Sequence, residues 1–245
     1  MAEPLAPQPL DPLDGAPVGR RIVLGMLVAG AAGIAFGGPL QQGLTSVLAP
    51  LTARDPSGLS SLLPTGNGFR IYSVVGFLPR RTRSAYRLRV TGLVDTPLDL
   101  TYDDVRALPR TRLVRDFQCV TGWRVDDVPW TGVRLSELLA AAGVQADGRA
   151  ITFRSFDGAY TESLTLGQAR RDDILVAYEM FDEPITSAHG GPVRLYVAPM
   201  YGYKSCKWLD EIVVTSEVQP GYWEKRGYDI DAWIGRSNGR DDEPV

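Results

Sequence analysis

The run Asp116-Phe117-Gln118-Cys119-Val120-Thr121-Gly122-Trp123, continued by Val128-Pro129-Trp130-Thr131-Gly132-Val133-Arg134-Leu135, constrains this chain more than any other stretch. Apolar and polar residues alternate into Cys119, as in a strand with one buried face, and Gly122 marks a turn just after it. The thiol is therefore expected at a strand exit, facing a cleft. A thiolate placed there can serve as a nucleophile, as half of a disulfide, or as a ligand to a soft metal. The plainer readings are a small buried hydrophobe and a disulfide with Cys206, the other cysteine of the chain.

About seventy residues on comes a second informative run, His189-Gly190-Gly191-Pro192-Val193-Arg194-Leu195-Tyr196-Val197-Ala198-Pro199-Met200-Tyr201-Gly202-Tyr203-Lys204-Ser205-Cys206-Lys207-Trp208. It reads as a Gly-Gly-Pro turn, a strand over 193–198, a Pro/Gly loop and a second strand. Glycines let backbone amides approach an anion closely, and Arg194, Lys204 and Lys207 supply positive charge beside them. Two strand-turn segments carrying surface lysines would look the same without any ligand.

Several chemistries are excluded outright. A single histidine rules out zinc sites built on two or three imidazoles, and two cysteines without CxxCH rule out covalent c-type haem. No GxGxxG follows a strand, which removes a nucleotide-binding dehydrogenase. Gly235-Arg236-Ser237-Asn238-Gly239 matches GxSxG, but no buried strand precedes it, and the only histidine comes before the serine, against the order of the hydrolase fold. With 26 basic and 29 acidic residues there is no field to draw in nucleic acid.

The two runs resemble the cysteine loop and the cofactor-anchoring segment of the sulfite oxidase superfamily of molybdopterin enzymes. Asn67-Gly68-Phe69-Arg70-Ile71-Tyr72 and Gly221-Tyr222-Trp223-Glu224-Lys225-Arg226-Gly227-Tyr228 resemble two more of its segments, in the right order. The resemblance implies molybdenum-molybdopterin as cofactor and Cys119 as the metal's protein ligand. It implies pterin contacts from Asn67, Arg70, Ile71, His189, Arg194, Ser205, Cys206 and Lys207, with Ser155 near a hydroxyl contact of the family. The Arg194 charge is expected to serve the phosphate and not the fold.

Cys-Val-Thr-Gly-Trp is similar to the Cys-Val-x-x-Trp pattern of the periplasmic methionine-sulfoxide-reducing branch, and lacks the arginine of the Cys-x-Gly-Asn-Arg pattern. This implies oxygen transfer with a small or protein-bound sulfoxide-like substrate. His189, found in sulfite oxidases where the sulfoxide branch has Asn, keeps sulfite oxidation open. A metal-free exported domain with a Cys119–Cys206 disulfide is the remaining alternative. Arg115 and Arg124 flank the cysteine loop as candidate cleft residues, and Asp126 and Asp127 read as a turn.

The chain of 245 residues divides into a leader (1–52), a linker (53–66), one oxidoreductase domain (67–235) and a polar tail (236–245). Arg20-Arg21 before a Gly/Ala-rich apolar stretch resembles a twin-arginine export signal, the route for folded, cofactor-loaded proteins. The alternative is a signal anchor, with the membrane contacted through residues 22–51. Both readings place the domain outside the cytoplasm, as a monomeric catalytic unit. Its electron partner is expected to be a membrane haem subunit or a cytochrome, since the chain has no haem or flavin motif.

Inside the domain, Thr101 and Asp104 form a capping box for a helix ending near Leu108, and 134–142 reads as a helix stopped by Gly143. Strands are expected at 86–90, 113–119, 150–156, 174–178, 193–198 and 208–216. The fold class is α+β, mostly short strands with short helices.

Overall fold

The computed structural model describes residues 68–237; the leader, the linker, Asn67 and most of the tail lie outside the described residues. Ten strands form two sheets. The first sheet has the order β2 (Leu98–Thr101), β1 (Arg87–Gly92), β10 (Leu209–Thr215), β5 (Ala150–Ser155) and β6 (Thr161–Thr165). In it β1 and β10 run parallel, while the other neighbours are antiparallel. The second runs β3 (Thr111–Gln118), β4 (Arg124–Arg134), β7 (Ile174–Met180) and β8 (Glu183–Pro184), with β9 (Arg194–Val197) also paired to β7.

Three short helices, α1 (Tyr102–Ala107), α2 (Leu135–Ala142) and α3 (Leu166–Ala169), complete this α+β architecture. The Thr101 and Asp104 capping box is formed at the start of α1. An unpredicted second box, Thr165 with Gln168, starts α3. In α2, Leu135, Leu138 and Leu139 face the core, and Gly143 ends the helix.

The run Ile-Leu-Val-Ala-Tyr of β7 explains how the second sheet is used. A strand with no polar alternation must bury both faces, and here alternate residues enter different cores. Ile174, Val176 and Tyr178 join the main core with Leu88, Val90, Phe153, Ile212 and α2. Leu175 and Ala177 join a smaller aromatic core with Phe69, Phe117, Trp130 and Tyr196. That second core is the floor on which the site is built.

Two local readings are corrected. Asp126 and Asp127 sit inside β4, at a bulge where they together face the single residue Asp116. Asp127 takes φ 52°, and its N–H donates to Asp116 Oδ1 at 2.7 Å, which stabilises the extra residue. The strand β6 escaped sequence reading because its Glu162 is fully buried, which breaks the expected alternation.

Candidate active site

Cys119 follows the last residue of β3 and opens a hairpin loop to β4. Its N–H donates to the Trp123 carbonyl at 2.9 Å, and its carbonyl accepts from Gly122 N–H at 3.0 Å. Gly122 has φ 97°, a conformation that strongly favours glycine, so the loop closes in three residues. The loop is anchored from below: Trp123 stacks on Phe117 at 5.6 Å between centroids, and Phe69 packs on Phe117 at 5.1 Å. The Cys119 thiol thereby lines a cavity of about 190 Å³.

Of the residues named from sequence, Arg70, Cys119, His189, Arg194, Ser205 and Lys207 line this cavity. Ile71 does not, although its neighbours Arg70 and Tyr72 do. Ser155 is buried beside the cavity, its hydroxyl accepting from Asp157 N–H at 3.2 Å. Cys206 is fully buried in the main core, so around it Ser205 and Lys207 face the cavity while it faces away. Burial pushes its thiol pKa up, and carboxylates nearby add to this. Cys119 and Cys206 are both free thiols, which overturns the disulfide alternative.

Lys204 is also corrected. Its ammonium does not face the cavity; it is fully buried and bonds Glu162 at 2.5 Å and Glu224 at 2.7 Å. Arg115 and Arg124 do not line the cavity either. Arg124 is held by Asp116 and Asp126, and Arg115 donates to the Val114 carbonyl at 3.0 Å.

The cationic side of the cavity is unusual. The Arg194 guanidinium, 3% exposed, donates to three carbonyl oxygens: His189 at 2.7 Å, Ser205 at 3.1 Å and Leu195 at 3.3 Å. It lies over the rings of Trp130 at 5.4 Å and Phe117 at 5.5 Å. Arg194 is therefore as much a part of the fold as of any anion site, contrary to expectation. Burial lowers its pKa to about 10.

Lys207 donates to the Tyr72 carbonyl, and burial followed by Arg194 repulsion lowers its pKa to about 7. Neither cation has an ion-pair partner among the described residues. Burial, then the charges of Arg194 and Lys207, push the pKa of His189 down to about 4, leaving a neutral imidazole at pH 7. At Gly190, with φ 95°, a Cβ would stand 2.5 Å from Lys207 Cγ, so the glycine makes room for the lysine stem.

Sequence reasoning missed Asp157 and the aromatic walls. Asp157 Oδ1 accepts from the N–H groups of Ala159 and Tyr160, but Oδ2 is buried with no hydrogen-bond partner, on the cavity lining. The Asp157-Gly158 turn signal was there to be read, though nothing local says that the turn faces a cavity. Phe69 binds the aromatic core together, and Trp223 and Tyr228 bring the last segment onto the cavity.

These features fit an anionic, nitrogen-rich ligand. A buried guanidinium and a part-exposed ammonium, neither in an ion pair among the described residues, call for an anion, and the orphaned Asp157 oxygen calls for an N–H donor. Among the described residues no three His, Cys, Asp or Glu side chains converge, so a metal here would need a ligand that brings most of its donors.

A strand-rich domain whose cavity gathers one cysteine and two cations suits the binding of an anionic cofactor. The chain belongs to the oxidoreductase molybdopterin-binding domain family, which matches residues 75–223. An uncharacterized oxidoreductase of Bacillus subtilis, YuiH, is 40% identical over 60% of this chain and 75% of that protein. Arabidopsis thaliana sulfite oxidase is 30% identical over 59% of this chain and 45% of its own length. The crystal structure of the sulfane dehydrogenase SoxCD from Paracoccus pantotrophus has the same fold, with TM-score 0.55 and 24% identity over 58% of this chain and 41% of that one.

The branch expected from the Cys-Val-Thr-Gly-Trp loop is not singled out. A putative protein-methionine-sulfoxide reductase subunit of Azospira oryzae, YedZ1, is 30% identical over 63% of this chain and 57% of its own length, no more than the sulfite oxidase. The chain thus spans about half the length of these two relatives. No helix of the described residues is long and apolar enough to cross a membrane.

Proposed function

We propose that this domain binds molybdenum-molybdopterin, with the Cys119 thiolate as the protein's ligand to the metal, and exchanges an oxygen atom with a small sulfur-centred substrate. One observation carries the reading: a single cysteine shares one cavity with the buried Arg194 and the part-exposed Lys207, and among the described residues neither cation has an ion-pair partner. When bound, the cofactor supplies two-electron oxygen-atom exchange, and the protein supplies binding, orientation and exclusion of water.

In this reading Arg194 and Lys207 hold the phosphate. The two guanidinium protons not spent on carbonyls and the lysine ammonium are the available charge-assisted donors. Asp157 Oδ2 accepts from the pterin's N–H groups, and neutral His189 and Arg70 bound the same cavity. Asn67 and Ile71 enter as sequence neighbours of Arg70. Ser155 and Cys206 act by holding Asp157 and Lys207 in place. Phe69, Phe117, Trp123 and Trp223 keep water from the reacting sulfur.

Family kinship with sulfite oxidases favours oxidation of a sulfur oxyanion as the first reading of the reaction. Sulfoxide reduction is the second, and a specific arrangement supports it. Arg124, the nearest arginine after the cysteine, is neutralised by Asp116 and Asp126 and lies off the cavity, which suits an uncharged substrate. In either direction the electrons pass to or from a separate haem subunit or cytochrome, outside the cytoplasm, after export of the folded domain.

The experiment is metal analysis of protein from a molybdenum-replete host, followed by sulfite oxidation with an artificial acceptor and sulfoxide reduction with a reduced dye. About one molybdenum per chain is expected, with turnover in one assay that Cys119→Ser abolishes while pterin is retained. Absence of molybdenum, or wild-type turnover by the serine variant, would overturn the assignment.

A further inference from the structure

The Cys119 Sγ atom has one hydrogen-bond partner among the described residues, Thr121 Oγ1 at 3.2 Å. Both belong to the same hairpin loop, which is closed by the Cys119–Trp123 and Gly122–Cys119 backbone bonds. The threonine is exposed and lines the cavity, and among the described residues its hydroxyl has the sulfur as its one hydrogen-bond partner. As a free thiol either atom could donate. A sulfur bound to metal is a thiolate, which has no proton, and then the hydroxyl must donate.

We infer that Thr121 is a positioning residue that tunes the redox balance of the site by donating a hydrogen bond to the Cys119 thiolate; this rests on Cys119 being the metal's ligand. A donor aimed at a ligating sulfur draws electron density from it, so the sulfur gives less to the metal and the reduced state is favoured. The bond also restrains the Sγ direction within the loop. Glycine or alanine at this position would leave the sulfur without a donor.

The test compares wild type, Thr121→Val and Thr121→Ser in redox titrations followed by the molybdenum(V) EPR signal. Valine keeps the shape and removes the donor; serine restores it. Thr121→Val is expected to lower the reduced-to-oxidised ratio at fixed potential by up to about tenfold, equivalent to 59 mV for a one-electron step. Thr121→Ser is expected within twofold of wild type. A Thr121→Val ratio within about twofold of wild type, or equal shifts in both variants, overturns the proposal, the second by assigning the effect to loop packing. Cys119→Ser is titrated alongside. If it leaves the EPR signal unchanged, or if wild type holds no molybdenum, the ligand assignment itself fails and the proposal falls with it.

Discussion

Lys204 Nζ lies 2.5 Å from Glu162 Oε1, and neither side chain reaches solvent. Glu224 accepts from the same ammonium at 2.7 Å. This triad ties the segment carrying Trp223 and Tyr228 to β6, so it supports one wall of the cavity from behind. Removing the lysine leaves two buried carboxyl groups without their cation, a change that costs about 3–5 kcal/mol. Lys204→Ala is therefore expected to lower the melting temperature by about 6–20 °C. Lys207→Ala should instead retain most stability and lose cofactor. Parallel thermal melts and metal analysis check the contrast; equal melting losses in both would contradict it.

The two carboxyl groups of the triad divide their roles. Burial raises the pKa of Glu162 against the pull of Lys204, and the nearby Glu224 carboxyl adds to the rise. Burial opposes ionisation of Glu224 too, but the neighbouring Glu162 and Lys204 hold it below the usual range. A raised acid binds a proton in the folded state that the unfolded chain has lost, so its stabilisation is present at low pH and declines as pH rises above the unfolded value, about 4.3, toward the folded one. Glu162→Gln should remove that decline with little loss at neutral pH, whereas Glu224→Gln should destabilise. Denaturant unfolding from pH 5 to 9 distinguishes them.

Arg194 joins fold and site. Replacing it by alanine removes the guanidinium donor from the carbonyls of His189, Leu195 and Ser205, and a buried group left unsatisfied costs about 1–3 kcal/mol. Arg194→Ala should lose stability even without cofactor, and Arg194→Lys should recover only part because one ammonium cannot span the three acceptors. Apo-protein melts check this. An Arg194→Ala apo-protein as stable as wild type would show that solvent or repacking satisfies those oxygens.

His189 should make the acid side of the stability curve steep. Its pKa falls from the ordinary 6.5 to about 4 in the folded state, so the unfolded chain binds the proton first. Stability is then complete above about pH 6.5 and is lost as pH falls toward 4. His189→Asn should flatten this limb. Unfolding free energies at pH 4.5, 5.5 and 6.5 provide the measurement, and an unchanged slope would remove His189 from the explanation.

Lys207 predicts a pH dependence of the opposite sense for anion binding. With a pKa near 7, set by burial and Arg194, the ammonium is present below neutrality and lost above it. Inorganic phosphate should bind the apo-protein more weakly as pH rises from 6 to 8, and Lys207→Met should abolish that trend in calorimetric titrations.

Local sequence patterns determined much of this protein. The Thr101–Asp104 box, the leucine face of α2 with Gly143 after it, and the uninterrupted apolar run of β7 report their own structure because the responsible interactions lie within a few residues. The Cys119 hairpin is of the same kind, since Gly122 and the strand alternation before it suffice to put the thiol at a strand exit. What only the tertiary structure decided is which of several similar residues meet at the cavity. Lys204 and Lys207 are three residues apart and alike in sequence, yet one bonds Glu162, 42 positions away, and Glu224, 20 away, while the other faces the cavity with no ion pair among the described residues. Asp157 faces the cavity where Ser155 was expected, and Cys206 turns into the core between two cavity residues. Charge and burial at these positions are set by partners that chain topology brings in from afar, and the strength of an electrostatic interaction depends on those partners and on the solvent they exclude.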